Sequence, residues 1–273
     1  MSSALTHSNT LIIDSHCHFD LVIQALKEPP ETLLKKAQSH NINIIIVPGL
    51  DPNQWKTVIA LAEKHNEIYF AAGLHPWWID KQVNLNLKDL RVQISTQLNH
   101  PKCIAIGECG LDAFIDTDMA LQEKILEVHL DLAQQFKKPI ILHSRKTDHL
   151  LQRLLKKHPL KAGGVLHAFS GHPDIAQQFV KQGLHLGIGG TITYPRARKT
   201  IQACEKIGLE HLILETDAPD MPIKGFQGQT NTPEQIVHVA QALADIKQIP
   251  LDEVITKTTQ NALCLFNLKD HMI

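Results

Sequence analysis

Leu11-Ile12-Ile13-Asp14-Ser15-His16-Cys17-His18 is a short apolar run that ends in polar side chains of metal-binding type. Aliphatic residues over so few positions, closed by a polar cluster, read as a buried strand. Side chains alternate across a strand, so Asp14, His16 and His18 are expected on one side, the interior of a closed sheet. Two imidazoles two residues apart can bind one metal ion from that side, with Asp14 bracing them or the backbone. A histidine-rich strand end satisfied by ordinary hydrogen bonds fits the same letters. The pair alone leaves both readings open.

Working outward, comparable runs recur at 42–49 (INIIIVPG), 68–74 (IYFAAGL), 103–108 (CIAIGE), 139–143 (PIILH), 163–167 (GGVLH), 184–189 (LHLGIG) and 211–216 (HLILET). Helical patterns lie between them, which implies parallel strands joined by crossovers. The clearest helix spans 119–136, with Leu121, Ile125, Val128, Leu132 and Phe136 on one face. Asp51-Pro52 reads as an N-cap followed by Pro, and Thr232-Pro233-Glu234-Gln235 as a capping box. No linker or low-complexity stretch divides the chain, so 1–273 is expected to form one domain. Its 273 residues approach the roughly 250 of a (β/α)8 barrel. An open doubly wound sheet also satisfies the alternation. The polar residues decide for the barrel, because they collect at the C-terminal ends of the strands, where such barrels keep their active sites.

Those strand ends carry the chemistry. The fourth run ends in Glu108, the fifth in His143 followed by Ser144 and Arg145, the sixth in His167, and the eighth leads into Asp217. Unpaired charges at that depth would be costly. Four histidines and two carboxylates converging on one barrel mouth point to metal binding rather than to satisfied core polarity. Nitrogen and oxygen donors without thiolate suit Zn, Mn, Mg, Co or Fe, and the set exceeds the needs of one tetrahedral site. Two divalent ions sharing a carboxylate are expected, roughly 3.5–4 Å apart, lowering the pKa of water and polarising the oxygen under attack.

The segments DSHCHFD, GLHP, IGECGLD, ILHSR, LHAFSG and LETDAP, in this order over nearly the whole chain, resemble the TatD family of metal-dependent deoxyribonucleases, among the amidohydrolase-like barrels. The stretch LETDAPDMPIKGFQGQTNTPEQ is similar to the YjjV-like branch, described only as metal-dependent hydrolases. The resemblance implies that His16, His18 and Asp217 bind one metal, that His143 and His167 bind the second, and that Glu108 bridges them. It implies Asp217 as acceptor of the proton from the attacking water. His75, in Gly73-Leu74-His75-Pro76, matches a position lining the site, where it would orient a phosphate or leaving group; it also reads as a loop histidine packed beside Trp77 and Trp78. Arg145 is a candidate phosphate contact, or else a solvent-facing residue at the start of the next helix. One departure stands out: many relatives carry Arg or Lys just before the Asn-x-Pro segment, where this chain reads Gly228-Gln229-Thr230.

The implied activity is phosphodiester hydrolysis, 3′-to-5′ and exonuclease-like, on DNA with single-stranded ends. A modest local excess of cations fits it: Arg145, Lys146, Arg196, Arg198, Lys199 and Lys224 against Asp148, Asp174 and Asp220. The alternatives are hydrolysis of a small amide, lactone or phosphoester on the same metals, and a metal-binding scaffold without catalysis. A formal net charge of −1 gives no global field for coating a polyanion. Five cysteines without a CxxC pair suggest a reducing compartment. Residues 1–10 have no leader pattern, and no apolar run nears the roughly 20 residues of a membrane span. A cytoplasmic location without an obligate protein partner is expected. Cys17 and Cys109 should point away from the metals as buried structural residues. Gly187-Ile188-Gly189-Gly190 suggests close backbone packing rather than a nucleotide loop. Of the 17 histidines, His40, His65, His100 and His158 fall near helix ends, where imidazole favours the negative pole.

Overall fold

The computed structural model describes residues 11–82 and 85–268. The N-terminal stretch read above for a leader lies outside the described residues. β1 (Ile12–Asp14), β2 (Ile42–Val47), β3 (Ile68–Ala72), β4 (Cys103–Asp112), β5 (Ile140–Arg145), β6 (Gly164–Leu166), β7 (Leu184–Ile188) and β8 (Leu212–Leu214) form one sheet in sequence order. Every neighbouring pair is parallel. Ser15 joins the first strand to the last, donating to the Leu214 carbonyl from its N–H at 3.2 Å and from its hydroxyl at 2.9 Å. The closed (β/α)8 barrel, not the open sheet, is the fold.

Helices return the chain between strands: α1 (Phe19–Leu26) and α2 (Pro30–Gln38), α3 (Pro52–Lys64), α4 (Leu87–Gln97), α5 (Met119–Phe136), α6 (Asp148–Lys157), α7 (Pro173–Lys181) and α8 (Arg198–Lys206). α9 (Ile236–Lys247) and α10 (Leu251–Leu265) follow the last strand. Asp51 caps α3 as its sequence predicts, accepting from the N–H groups of Asn53 and Gln54 at 2.6 and 3.0 Å. The capping box at Thr232 does not form. Pro233–Gln235 is a short 3-10 turn, and the Thr232 side chain makes no cap bond. Its N–H goes instead to Asn231 Oδ1 at 3.0 Å.

Two apolar layers fill the fold. One lies between barrel and helices and includes Ile12, Ile45, Ile106, Leu142 and Leu214. The other fills the barrel, with Ile13, Ile46, Ala71, Ile141, Val165 and Ile213, and is closed by Leu263 and Phe266 from the C-terminal segment. Which residues reach the axis follows from this parity. Ile141, Val165 and Ile213 face inward, so two residues further on His143, His167 and Glu215 do too.

Parity fails at two strands. Asp14 pairs in register with Ile45, which faces the helices; the expectation that Asp14 shares a side with His16 and His18 is therefore corrected. The strand ends at Asp14, and His16 and His18 turn inward beyond it, held between Ile46 and the β8 loop by Cys17 N–H to Ile46 O at 3.1 Å and Asp217 N–H to His16 O at 2.9 Å. On β4, Ile106 pairs with Ile140 but Cys109 with Leu142, so an extra residue is inserted. This bulge turns Glu108 inward and leaves Cys109 with the outer layer. Unbroken alternation would have buried Glu108 under the helices.

Candidate metal centre

Glu108, 1% exposed, is the hub. Its Oε2 lies 3.1 Å from His16 Nε2 and 3.7 Å from His18 Nε2, and Asp217 Oδ1 lies 3.5 and 3.6 Å from the same two nitrogens. Its Oε1 faces the other way, 2.8 Å from His167 Nε2, 3.1 Å from His143 Nδ1 and 3.2 Å from His75 Nε2. Ligands of a tetrahedral ion with bonds of about 2.0–2.1 Å sit about 3.3 Å apart. Both groupings are spaced on that scale. Atoms of His16, His18 and Asp217, of His16, Glu108 and His167, and of His75, Glu108 and His143 could each hold an ion.

The buried polar atoms give an independent test of fit. His16 Nδ1, His18 Nδ1 and His167 Nδ1 are buried without a hydrogen-bond partner, and His16 Nε2 and Glu108 Oε2 face each other at 3.1 Å without forming an aligned bond. Each such group costs about 1–3 kcal/mol when nothing satisfies it. Burial raises the Asp217 carboxyl to about 7, with Glu108 adding to it. Burial lowers His18 to about 4. His167 rises to about 10 despite its burial, because Glu108 lies against it. Positive charge at the centre would relieve the carboxylates and take up the free nitrogens. The donor set fits divalent cations.

The β5 side is braced by side chains. Asp112 Oδ2 lies 3.2 Å from His143 Nε2, which leaves Nδ1 to face Glu108. Asp112 also accepts from Trp77 Nε1 at 2.6 Å and from the Phe114 N–H at 2.8 Å. Burial opposes its charge, but the His143, Trp77 and Phe114 bonds prevail and bring its pKa down to about 2. His75 Nδ1 accepts the Trp77 N–H at 3.1 Å, so the neutral ring carries its proton on Nε2 and donates to Glu108. His75 is built as a donor into the site, beside Trp77 and Trp78 as its loop position also predicted.

The β1–β8 side is braced through the backbone. Asp14 accepts the Thr216 N–H at 3.0 Å and hydroxyl at 2.6 Å, fixing the turn into Asp217. Asn231 Nδ2 donates to Thr216 O at 2.9 Å and Asp220 O at 2.8 Å. Asp217 itself sits at φ 56°, a left-handed conformation that Asp adopts more readily than most side chains. Glu215 accepts the Ala168 N–H and faces His167 Nδ1 at 3.8 Å. A Cβ on Gly187 would meet that carboxylate at 2.2 Å, so the glycine run at β7 makes room for Glu215.

Arg145 stands apart from the hub. It is the last residue of β5, exposed, with its guanidinium 4.4 Å from the Phe114 ring centre. Cys17 and Cys109 are buried free thiols outside the donor cluster. Sequence reasoning passed over Asp112, Glu215 and Asn231 as working residues. The rule it used, a polar residue closing an apolar strand, applies equally to Cys109-Gly110-Leu111-Asp112.

Comparison with known proteins gives a consistent picture. The profile of the family described as TatD related DNase matches residues 13–267. A metal-dependent hydrolase of Escherichia coli K12, YjjV, is 42% identical over 94% of this chain and 98% of its own. The crystal structure of that TatD homolog superposes with a TM-score of 0.88, covering 95% of this chain and 99% of the other at 41% identity. A metal-dependent hydrolase of Haemophilus influenzae is 36% identical over 93% of this chain and 98% of its own.

Proposed function

The chain belongs to the TatD related DNase family and is a metal-dependent hydrolase, and on that premise we propose that it cleaves phosphodiester bonds at the 3′ ends of single-stranded DNA. One observation carries the reading: the two oxygens of Glu108 face separate sets of metal donors. His16, His18 and Asp217 would hold one divalent ion and His143 and His167 the second, with Glu108 shared. When bound, the pair lowers the pKa of water and polarises the phosphoryl oxygen. The chain's own groups do the rest. Asp217 takes the proton from the attacking water. With Glu108 engaged by metal, His75 would turn the Nε2–H it now gives that carboxylate to the phosphate or the leaving oxygen, and Arg145 would meet a phosphate outside the cavity. We assign this activity to one hydrolase domain spanning 1–273. Its free thiols accord with a reducing cytoplasm. No described helix is long and apolar enough to cross a membrane.

A second reading, hydrolysis of a small phosphoester, draws support from the size of the cavity. At about 90 Å³ it falls well below the roughly 300–1,000 Å³ of pockets that enclose a drug-sized ligand, which suits a small reacting group. Turnover of labelled single-stranded and duplex DNA with Mn, Zn, Mg, Co and Fe, beside small phosphodiesters, amides and lactones, distinguishes them. Single-stranded ends should be preferred, with a shallow decline in salt. Activity confined to small neutral esters under every metal would refute the nuclease reading.

A further inference from the structure

Trp77 lines the cavity yet is 46% exposed. Exposure of a large ring usually goes with mobility, but this indole is held at both ends. Its backbone N–H binds His75 Nδ1 and its Nε1–H binds Asp112 Oδ2. Asp112 holds a second aromatic loop through the Phe114 N–H; Phe114 is 61% exposed, and its ring carries the Arg145 guanidinium. One carboxylate therefore holds the Trp77 indole and the Phe114 backbone beside His143. Hydrogen bonding to Asp112 needs only a small polar side chain, and packing needs a buried one. The indole packs edge-on against His75 and nearly parallel to Trp78, and 46% of it still stays bare. It suits a flat π-system entering from solvent.

Resting on the nuclease reading, we propose that Trp77 is the stacking platform for the nucleobase next to the scissile phosphate. A base attached to a phosphate held at the metal donors would extend towards the mouth of the cavity, which the part-exposed Trp77 lines. The Arg145–Phe114 pair offers a cation for a neighbouring phosphate. Stacking accepts any base, since every base has a π-face, but requires one freed from its pair. The platform thus selects single strands without reading sequence.

The test uses the metal-loaded full chain and fluorescence anisotropy with a labelled phosphorothioate single strand, intact or abasic at its two 3′-terminal positions. Metal content is measured on each preparation. Stacking contributes about 1–3 kcal/mol per base, so Trp77→Ala should weaken binding of the intact strand by about 5- to 150-fold. The abasic strand should bind wild type and Trp77→Ala within about two-fold of each other, since no base remains to stack. Trp77→Phe keeps a ring but loses the bond to Asp112, and should bind the intact strand far closer to wild type than Trp77→Ala does. Equal weakening on both strands would place the effect in Asp112 and the metal site and overturn the platform. Wild-type affinity in Trp77→Ala would overturn it while leaving the nuclease reading intact. A wild-type protein that neither binds nor cleaves any oligonucleotide would overturn both.

Discussion

The two halves of the centre are built differently. On the β5 side, His143 has Asp112 behind it and His75 has the Trp77 N–H, so each ring has a set tautomer and direction. On the β1–β8 side the Nδ1 atoms of His16 and His18 lack partners, a state shared beyond it by the Nδ1 of His167, and His16 Nε2 meets Glu108 Oε2 without an aligned bond. There the chain positions its donors by fixing backbone, through Asp14, Asn231 and the extended segment between β2 and β8. A half braced by side chains keeps its geometry when empty; a half with orphaned nitrogens depends on what binds it. The β1–β8 side should therefore gain most from an ion, and the β5 side should lose most from a change in its supporting residues.

Breaking the shared member should remove the distinction altogether. Glu108→Ala leaves neither grouping a bridge, so elemental analysis should find both ions depleted. Turnover should fall beyond the about 10²–10⁴-fold that a single base supplies. Retention of two ions per chain would contradict the hub. Asp217→Asn comes next: it keeps one possible oxygen ligand beside His16 and His18 but cannot accept a proton. It should lose about 10²–10⁴-fold in kcat while holding more metal than Glu108→Ala. Equal metal loss in the two variants would merge the bridging and base roles. Full activity would move the base elsewhere, and not to His75, whose Nδ1 lone pair is taken by the Trp77 N–H.

Asp112→Asn tests the brace itself. Removing the partner behind a metal-binding histidine costs about 10- to 100-fold in affinity or activity. Metal titration should show one weakened site and one unchanged site per chain. Equal weakening of both would mean that the halves are not independently supported.

What the sequence disclosed divides along the same lines. At β5, β6 and β8 simple alternation carries the inward face to His143, His167 and, through Glu215, to the turn at Asp217, so these residues were legible. At β1 and β4 alternation points the wrong way for His16, His18 and Glu108. Glu108 was found by residue type and by resemblance, and His16 and His18 through an alternation from Asp14 that the strand does not follow, while the strand break and the bulge that aim them leave no mark in hydrophobic pattern. Asp112 was missed because strand four was expected to stop at Glu108, six residues into the ten of β4. Thr232 misled because a capping box counts side chains and not backbone: Asn231, bound to Thr216 and Asp220, draws the segment into a 3-10 turn first.

The smallest effect concerns a residue beneath the braced half. His129, on α5, is fully buried; its Nε2 accepts the N–H of Leu74 at 3.0 Å, and its Nδ1 faces the Ile125 carbonyl at 2.8 Å. It holds the loop that delivers His75, and it does so only with Nε2 unprotonated. Burial lowers its pKa from 6.5 to about 4, although the Ile125 bond opposes this. The unfolded chain therefore takes up a proton below about pH 6.5 while the folded chain still refuses it. The stability due to the neutral ring is present above that pH and is lost as pH falls towards 4. Between pH 7.5 and 5.5 the loss should be about 1.4 kcal/mol, one pKa unit's worth. Urea unfolding of metal-free wild type and His129→Gln at the two pH values isolates it, because the other titrating groups are common to both. Wild type should lose about 1.4 kcal/mol more than the variant. Parallel losses would mean that the ring titrates normally in the fold, and that the Leu74 bond does not depend on its neutral form.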